Sequence, residues 1–251
     1  MKLAGKVAIV TGGSRGIGRA ISVGFAREGA KVVVAARTET EMDKLPGTIH
    51  QTVAQINDLG GQAIPVKCDV TKEEEVEAMV KRALQEFGRV DVMVNNAAVA
   101  FYAPTMDTPP KRWDLVLRVN LMGTFLCCKA VLPHMVKQRS GSIINLSSRA
   151  ADARHNSPAG VAYGVAKAAI EHYTFALAAE VAPYNIAVNC IKPGKTVDTE
   201  GMRLWNPPEE WVKWGPPDNM VKAAVFLAAQ GAQGVTGTVG TDEEVIAWHA
   251  L

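Results

Sequence analysis

TGGSRGIG at residues 11–18 is the stretch of sequence that decides the fold. It follows an apolar run at residues 7–10 and precedes a segment of helical periodicity at 17–28, which Gly29 closes. A strand that turns into a helix through glycines leaves backbone N–H groups free at the helix start, where they bind anions such as a pyrophosphate. The alternative is a glycine-rich turn that holds no ligand.

Three of the four glycines in this stretch have separate expected roles. Gly12 permits a tight turn, Gly16 lets the backbone approach a pyrophosphate, and Gly18 lets the helix pack close to the strand. The spacing TGxxxGxG is a variant of the better-known GxGxxG. The whole loop, with Ser14, Arg15 and Ile17 between the glycines, is therefore predicted to bind a dinucleotide.

Apolar runs alternate with segments of helical periodicity along the rest of the chain. The predicted strands are residues 7–10, 31–36, 63–67, 90–94, 142–146, 186–191 and, least regular, 235–241. The predicted helices are residues 17–28, 49–59, 76–87 after a capping box of Thr71 and Glu74, 110–132 ended by Pro133, 163–182 and 219–229. Six to seven strands, each followed by a helix, predict an α/β, Rossmann-like fold: one doubly wound parallel sheet with helices on both faces.

The composition fits one domain over residues 1–251, because 48% of the residues are hydrophobic and no Pro/Ser-rich linker divides the chain. The formal charge of +2, from 27 basic and 25 acidic residues, gives no field that attracts nucleic acid or an anionic membrane. No apolar run approaches the ~20 residues that span a bilayer. The four cysteines form no CxxC pair and have no histidine at ligand spacing, so no metal site is predicted and a cytoplasmic location is expected.

The end of the second strand bears on the choice of cofactor. A site selective for NAD places an Asp or Glu there to bind the ribose hydroxyls, whereas this chain has Arg37 and Thr38. Arg37 and Arg15 can flank a 2′-phosphate with charge-assisted hydrogen bonds, so NADP(H) is favoured over NAD(H). Arg37 as a solvated surface residue is the alternative.

Tyr163 and Lys167 are four residues apart on a predicted helix, so their side chains share one face. An ammonium beside a phenol favours the phenolate and lowers the phenol pKa from its ordinary value near ~10. Tyr163 is then expected to serve as an acid in reduction and as a base in oxidation. A chance pair with a snorkelling lysine is the alternative for an isolated YxxxK.

The sequence resembles the short-chain dehydrogenase/reductase family across nearly its whole length. The matching pieces are TGGSRGIG at 11–18, Asp69-Val70, Asn95-Asn96-Ala97-Ala98, Asn120, Ser147-Ser148, Tyr163-Gly164-Val165-Ala166-Lys167 and Pro193-Gly194. The resemblance implies a single-domain oxidoreductase that moves hydride between a nicotinamide and a carbonyl or a secondary alcohol.

The resemblance also implies catalytic roles. Ser148 holds the substrate oxygen beside Tyr163, and Asn120 belongs to a proton relay that reaches Lys167 through water. Ser147 remains the alternative to Ser148, because the separation of fifteen residues from Tyr163 is slightly longer than the family's usual spacing. Asn120 as a core amide satisfied by the backbone is likewise open.

The cofactor contacts implied by the resemblance lie at strand ends. Asp69 bonds the adenine amino group, although it is equally suited to a turn, and Val70 packs on the adenine ring. The other residues implied to line the cofactor are Asn96, Ala97, Ala98, Pro193, Gly194 and Thr196. Asp198 stands where the family usually has a threonine for the carboxamide, so Thr196 or Thr199 is expected to substitute.

A substrate-covering segment is expected at about residues 195–217, where Trp205, Trp211 and Trp214 predict an apolar or ring-bearing substrate. His155 is a further candidate for the pocket. The tryptophans are equally suited to packing against the protein body or a second subunit.

Two other functions stay open: a nucleotide-binding regulatory module without turnover, and an NADP-dependent sugar-nucleotide enzyme. Assembly as a homodimer or homotetramer is expected from the family. Apolar positions suited to such an interface, or alternatively to the core, are Leu121, Phe125, Phe175 and Leu177.

Overall fold

Parallel strands form one sheet in the computed structural model, which describes residues 1–152 and 160–251. Within those ranges the strands are β1 (Val7–Thr11), β2 (Lys31–Ala36), β3 (Gln62–Lys67), β4 (Val92–Asn95), β5 (Gly141–Leu146), β6 (Ile186–Lys192) and β7 (Val239–Thr241). Their order is β3-β2-β1-β4-β5-β6-β7, and each adjacent pair is parallel. The predicted doubly wound parallel sheet is therefore confirmed.

Helices cover both faces of this sheet. In the described ranges they are α1 (Gly16–Arg27), α2 (Ile49–Asp58), α3 (Glu73–Phe87), α4 (Pro110–Leu117), α5 (Gly123–Gln138), α6 (Val161–Val181), α7 (Glu200–Trp205), α8 (Pro208–Trp211), α9 (Asp218–Ala228) and α10 (Asp242–His249). The sequence patterns predict the long helices but not α7, α8 or α10. These three have at most eight residues each, too few for a periodic pattern to emerge.

The core lies on both faces because the inner strands are buried on both sides. All five residues of β1 are buried, and successive side chains point to opposite faces. Val10 packs with Phe25 of α1 in one apolar cluster, whereas Ile9 packs with Val76 of α3 in the other. This double burial is why β1 appears in the sequence as a continuous apolar run.

The strand order reverses at β1, which pairs with β2 on one side and with β4 on the other. Loops that leave the carboxyl ends of such neighbouring strands diverge and open a crevice. The glycine loop follows β1, and Asn96 follows β4. The fold thus brings the predicted dinucleotide loop to the edge of the sheet where ligands of doubly wound folds bind.

Two predicted helix boundaries are wrong. Pro133 does not end its helix, because α5 continues to Gln138 and the fully buried Val131 and Met135 hold the turns on either side of the proline in place. Thr71 does not cap α3, which begins at Glu73. The Asp69 carboxylate accepts both the backbone N–H and the hydroxyl of Thr71, and this local turn takes up the groups that a capping box needs.

The helical stretch Pro110–Gln138 is long and apolar enough, by length and composition alone, to cross a membrane. The prediction that no apolar run approaches the length needed to span a bilayer is therefore wrong for this stretch. Half of that apolar window is buried inside the fold, and the core helix of a soluble protein passes the same test. Within the described ranges, this feature is weak evidence for membrane insertion.

Candidate active site

The glycine loop after β1 is packed too closely for side chains at two of its glycines. Gly12 has a φ of +65°, a conformation that favours glycine. A Cβ on Gly18 would lie 2.4 Å from the carbonyl oxygen of Gly12. Asn96 fixes the loop, because its Nδ2 donates to the Thr11 carbonyl oxygen at 2.8 Å. The loop and the end of β4 therefore form one rigid corner.

A carboxylate already lies at the start of α1. Oε2 of Glu200, on α7, accepts the backbone N–H of Gly16 at 2.9 Å, and its Oε1 accepts from the Arg19 guanidinium. The N-cap residue Arg15 offers no side-chain cap. The sequence predicts a pyrophosphate at this position. The free N–H groups and the positive end of the helix dipole favour an anion there, and the Glu200 carboxylate is one. A dinucleotide phosphate bound there has to displace the Glu200 carboxylate.

Arg15 points to the loop between β2 and α2. Its Nε donates to the Pro46 carbonyl oxygen at 2.9 Å, and its Nη2 donates to the Gly47 carbonyl oxygen at 2.7 Å. A Cβ on Gly47 would lie 2.6 Å from the Ser14 carbonyl oxygen, so this loop packs directly on the glycine loop. The predicted role of Arg15 in flanking a 2′-phosphate therefore competes with its role in anchoring the loop.

The other predicted residues on the adenosine side lie at the ends of β2 and β3. The Arg37 side chain is 67% exposed, and its Nη1 lies 3.9 Å from Oδ2 of Asp69. Thr38 is half-buried beside it and Val70 is buried, within contact distance of Gly123. Oδ1 of Asp69 accepts from Thr71, which is the turn role left open by the sequence. Oδ2 faces Arg37 and is the oxygen available to a ligand.

Tyr163 and Lys167 lie on the same face of α6, as their spacing predicts. Lys167 Nζ lies 5.4 Å from the centroid of the Tyr163 ring and donates to the Leu146 carbonyl oxygen at 2.7 Å. The lysine side chain is buried, and this burial lowers the pKa of Lys167 to about 8. The half-buried phenol and the buried ammonium are therefore neighbours, and they are not a surface pair.

The expectation that the phenol is unusually acidic is wrong for this structure. Burial raises the pKa of Tyr163 above its ordinary value, and the hydrogen bond with Ser148 lowers it by less. The Lys167 ammonium is turned toward the Leu146 carbonyl oxygen, so it does not offset the loss of solvation. The phenol consequently stays protonated at neutral pH.

The two serines differ in their hydrogen-bond partners. The Ser147 hydroxyl is buried and donates to Oε1 of Glu171 at 2.6 Å. The Ser148 hydroxyl accepts the Ala150 N–H at 3.2 Å and interacts with the phenol of Tyr163. The Ser147 hydroxyl is thus engaged by Glu171, and Ser148 is the serine next to the phenol of Tyr163.

Asn120 lies in a π-helical turn, Arg118–Met122, between α4 and α5. Its Nδ2 donates to the carbonyl oxygens of Val99 and Val116 at 2.7 and 2.8 Å. Its Oδ1 is buried and has no hydrogen-bond partner among the described residues. A buried acceptor without a partner is costly, and π turns recur at functional sites. The open oxygen fits the predicted relay through water, while the amide nitrogen is satisfied by backbone.

A cavity of about 420 Å³ joins the predicted catalytic and nicotinamide-side residues at the carboxyl edge of the sheet. Predicted residues that line it are Ile17, Asn96, Ala98, Ser148, Tyr163, Lys167, Pro193, Gly194 and Thr196. Thr199, the other candidate for the carboxamide contact, also lines it, and its hydroxyl accepts the Met202 N–H at the start of α7. Asp198 pairs instead with Arg203 through two hydrogen bonds.

Some predicted residues do not reach this cavity. Trp205 is 80% exposed and does not line it, because the short α7 directs Met202 inward instead. Ala97 lies behind the lining, where its N–H donates to the Thr11 hydroxyl. His155 lies outside the described residues.

Three further residues belong to this region, and the sequence patterns miss two of them, Glu171 and Lys192. Tyr102 lines the cavity, with its ring centroid 6.4 Å from that of Tyr163. Glu171 and Lys192 lie behind the serines and are joined by a salt bridge of 3.0 Å. The position of Glu171, four residues after Lys167 on the same helix face, is the signal that could have drawn attention to it.

These residues fit a nicotinamide dinucleotide. The start of α1 holds a carboxylate in place of a phosphate, and the buried Oδ1 of Asn120 is left for a water or a ligand-linked proton. The glycine loop, Arg37 and Asp69 would hold the adenosine half, while Asn96, Pro193 and Thr196 would hold the nicotinamide half.

Known proteins similar to this chain include enzymes of several organisms. The chain is 35% identical over 245 residues to hydroxysteroid dehydrogenase-like protein 2 of Homo sapiens, an alignment that covers 98% of the chain and only 58% of that protein. It is 38% identical over 247 residues to a 3-oxoacyl-(acyl-carrier-protein) reductase of Chlamydia trachomatis, which covers 94% of the chain and 95% of that protein.

A crystal structure of a short-chain type dehydrogenase/reductase from Mycobacterium marinum superposes with a TM-score of 0.84 at 31% identity, covering 95% of this chain and 94% of that one. The model of the family described as short chain dehydrogenase matches residues 6–210. With the sheet, the glycine loop and the Ser148, Tyr163 and Lys167 cluster in place, the chain belongs to the short-chain dehydrogenase/reductase family, whose members are oxidoreductases that use nicotinamide cofactors.

Proposed function

We propose that this chain reduces a carbonyl group to a secondary alcohol with NADPH, or catalyses the reverse oxidation. The observation that carries the proposal is the shared cavity of Ser148, Tyr163 and Lys167 beside the glycine loop. The phenol can donate a proton, and the hydroxyl can donate a hydrogen bond. The buried ammonium provides a positive charge near a substrate oxygen that gains negative charge during reduction.

Tyr163 supplies the proton in the direction of reduction. Burial raises the pKa of Tyr163, so the phenol stays protonated at neutral pH and can donate to the substrate oxygen as that oxygen becomes negative. The Ser148 hydroxyl holds the same oxygen and orients it toward the phenol. A nicotinamide dinucleotide, when bound, supplies the hydride for reduction and accepts it for oxidation.

Lys167 stabilises the negative charge that remains on the Tyr163 phenolate after the proton has left. Its ammonium lies 5.4 Å from the phenol ring centroid, so it places a positive charge near the phenolate that forms when Tyr163 gives up its proton. Asn120 offers its open Oδ1 to a water that returns the proton toward the lysine. Each of these roles requires the lysine to be charged.

The preference for NADP(H) over NAD(H) rests on the end of β2. Arg37 follows the strand where an NAD-selective site has a carboxylate, and its side chain is 67% exposed. A guanidinium there can form charge-assisted hydrogen bonds with a 2′-phosphate. Arg15 supports the same preference less strongly, because its Nε and Nη2 already donate to the carbonyl oxygens of Pro46 and Gly47.

The substrate side of the proposal is an apolar or ring-bearing carbonyl compound. Tyr102 and Met202 add apolar surface to the cavity next to Tyr163. The relatives' names, hydroxysteroid dehydrogenase-like protein and 3-oxoacyl-(acyl-carrier-protein) reductase, both refer to chemistry at an alcohol or ketone carbon. Residues 195–217 are proposed to cover the substrate.

The test is turnover by the purified chain with NADPH or NADH and a panel of cyclic ketones, steroid ketones and 3-oxoacyl thioesters. Loss of NADPH absorbance with at least one ketone, faster than with NADH, supports the proposal. Tight NADPH binding without turnover of any carbonyl compound indicates a regulatory module instead. Turnover restricted to sugar nucleotides indicates a sugar-nucleotide enzyme.

The proposal includes a homodimer or homotetramer in the cytoplasm. Phe125 and Phe175 are 42% and 49% exposed, which suits an interface between copies, whereas Leu177 is buried in the core. The four cysteines are buried thiols, as expected in a reducing compartment. Sedimentation of the purified chain tests the assembly, since a monomer at micromolar concentration contradicts it.

A further inference from the structure

Behind the two serines, one buried ammonium binds two carboxylates. Lys192 Nζ, at the end of β6, donates to Glu171 Oε1 at 3.0 Å and also to the Asp152 carboxylate. The Lys192 side chain is only 10% exposed and that of Glu171 only 17%. The proposed proton transfer uses none of these three residues. A buried ion cluster is costly to form, so its position calls for an explanation.

Both carboxylates connect to the segment that carries Ser148. Glu171 Oε1 accepts the Ser147 hydroxyl at 2.6 Å, and Ser147 is the chain neighbour of Ser148. On the other side of Ser148, a single 3-10 turn, Arg149–Ala151, leads directly to Asp152. Lys192 therefore reaches the residues on both sides of Ser148, through Glu171 on one side and Asp152 on the other.

The turn between Ser148 and Asp152 is short, so it allows little movement of one residue relative to the other. The Ala151 N–H donates to the Ser148 carbonyl oxygen at 2.9 Å, and the Ser148 hydroxyl accepts the Ala150 N–H at 3.2 Å. A shift of Asp152 consequently moves the Ser148 hydroxyl. Glu171 lies one turn after Lys167 on α6, so the same cluster sets the distance from this turn to the catalytic face of the helix.

We propose that Lys192 is a positioning residue that holds the Ser148 turn against the Tyr163 and Lys167 face of α6. This inference rests on the proposed function, because it assigns Lys192 its role through Ser148. Removing the ammonium leaves two neighbouring carboxylates without their shared cation, and they repel one another and pull the turn away from α6. Misplacement of a reacting group by about 1 Å costs about 100-fold in rate.

The experiment compares Lys192→Met and Asp152→Asn with the wild type in carbonyl reduction. Both variants are expected to lower kcat by about 10- to 100-fold while the Kd for NADPH, measured by tryptophan fluorescence, stays within about twofold. Asp152→Asn changes the charge of a partly exposed side chain but not its shape, and it leaves the salt bridge between Lys192 and Glu171 in place. It therefore tests the turn even if Lys192→Met fails to fold. Lys129→Met, which removes an exposed pair with Glu73, is the matched control and should leave kcat unchanged.

A double-mutant cycle separates positioning from general stability. In a Ser148→Ala background, Lys192→Met and Asp152→Asn should lower kcat no further, since their effect passes through the Ser148 hydroxyl. Full additivity in that background, or an unchanged kcat in both single variants, overturns the inference.

A readout without turnover keeps this inference apart from the proposed function. Amide hydrogen exchange at residues 148–152 should be faster in Asp152→Asn than in the wild type, with no change in α1. If the wild type reduces no carbonyl compound, the proposed function fails, whereas unchanged exchange at residues 148–152 defeats the role of Lys192 independently.

Discussion

The Lys167 ammonium lies 5.4 Å from the centroid of the Tyr163 ring, in the interior of the protein. Burial acts in opposite directions on the two groups, because it disfavours the charged form of each: it raises the pKa of Tyr163 and lowers the pKa of Lys167 to about 8. Of these two groups, the lysine is therefore expected to lose its proton first as the pH rises.

The pH dependence of carbonyl reduction should report this lysine. Its folded pKa of about 8 lies below the ordinary value of 10.5, so the ammonium is present below pH 8 and is lost as the pH rises through that value. We expect kcat/KM to be level below about pH 8 and to fall about tenfold per unit above it. Lys167→Arg, which stays charged, should move the fall to higher pH. A wild-type profile that stays level to pH 10 would speak against a charged Lys167 in the mechanism.

Arg37 should separate the two nicotinamide dinucleotides. Arg37→Ala removes the guanidinium proposed to bind the 2′-phosphate, and a lost charge-assisted hydrogen bond at this exposed position is expected to weaken NADPH binding about tenfold. NADH binding should change by less than about twofold. Fluorescence titration with each cofactor measures both, with Arg82→Ala on the surface of α3 as the control. Equal weakening of both cofactors would remove Arg37 from cofactor selection.

Glu200 should compete with the cofactor. Its carboxylate accepts the Gly16 N–H and pairs with Arg19, so a phosphate has to displace it and is repelled by it. Glu200→Gln is expected to strengthen NADPH binding about three- to tenfold at low salt, and the gain should shrink as salt screens the charges. Glu210→Gln, which removes a carboxylate paired with Lys213 on the exposed α8, serves as the comparison. Weaker binding in Glu200→Gln would show that the carboxylate assists the cofactor.

Gly18→Ala tests the packing of the glycine loop. The added methyl would lie 2.4 Å from both the Gly12 carbonyl oxygen and Asn96 Nδ2, so the loop or the end of β4 has to shift. Such overpacking is expected to lower the free energy of unfolding by about 1–3 kcal/mol and to weaken cofactor binding as well. Urea denaturation measures the first effect. Gly201→Ala is the control, because a Cβ at Gly201 meets open space and the substitution should be close to neutral. Gly60→Ala is less suitable, because Gly60 has a positive φ that strains any other residue.

The inner strands and the shared helix face of Tyr163 and Lys167 follow from local sequence patterns. β2 is predicted to its exact ends and β1 to within one residue, because strands buried on both faces are continuous apolar runs. Helical spacing places Tyr163 and Lys167 on one face, and the glycine loop and the serines at the end of β5 mark the pair as a candidate site. The same patterns place Pro133 at a helix end, because only tertiary packing around Val131 and Met135 carries the helix past it.

The charged residues that support the site have no comparable local signal. Lys192 ends an apolar strand and looks like a solvated terminus, yet its partners Asp152 and Glu171 come from segments 40 and 21 residues away. Glu200 meets Gly16 across 184 positions. The direction of the Tyr163 pKa also depends on burial, which spacing does not provide. These contacts emerge only from the assembled fold.

The most direct measurement of the central claim is the turnover number of Tyr163→Phe with NADPH and a ketone that the wild type reduces. The variant keeps the ring and loses the phenolic proton, so kcat should fall at least about 100-fold while NADPH binding is retained. Turnover within a few-fold of the wild type, at unchanged NADPH affinity, would contradict Tyr163 as the proton donor.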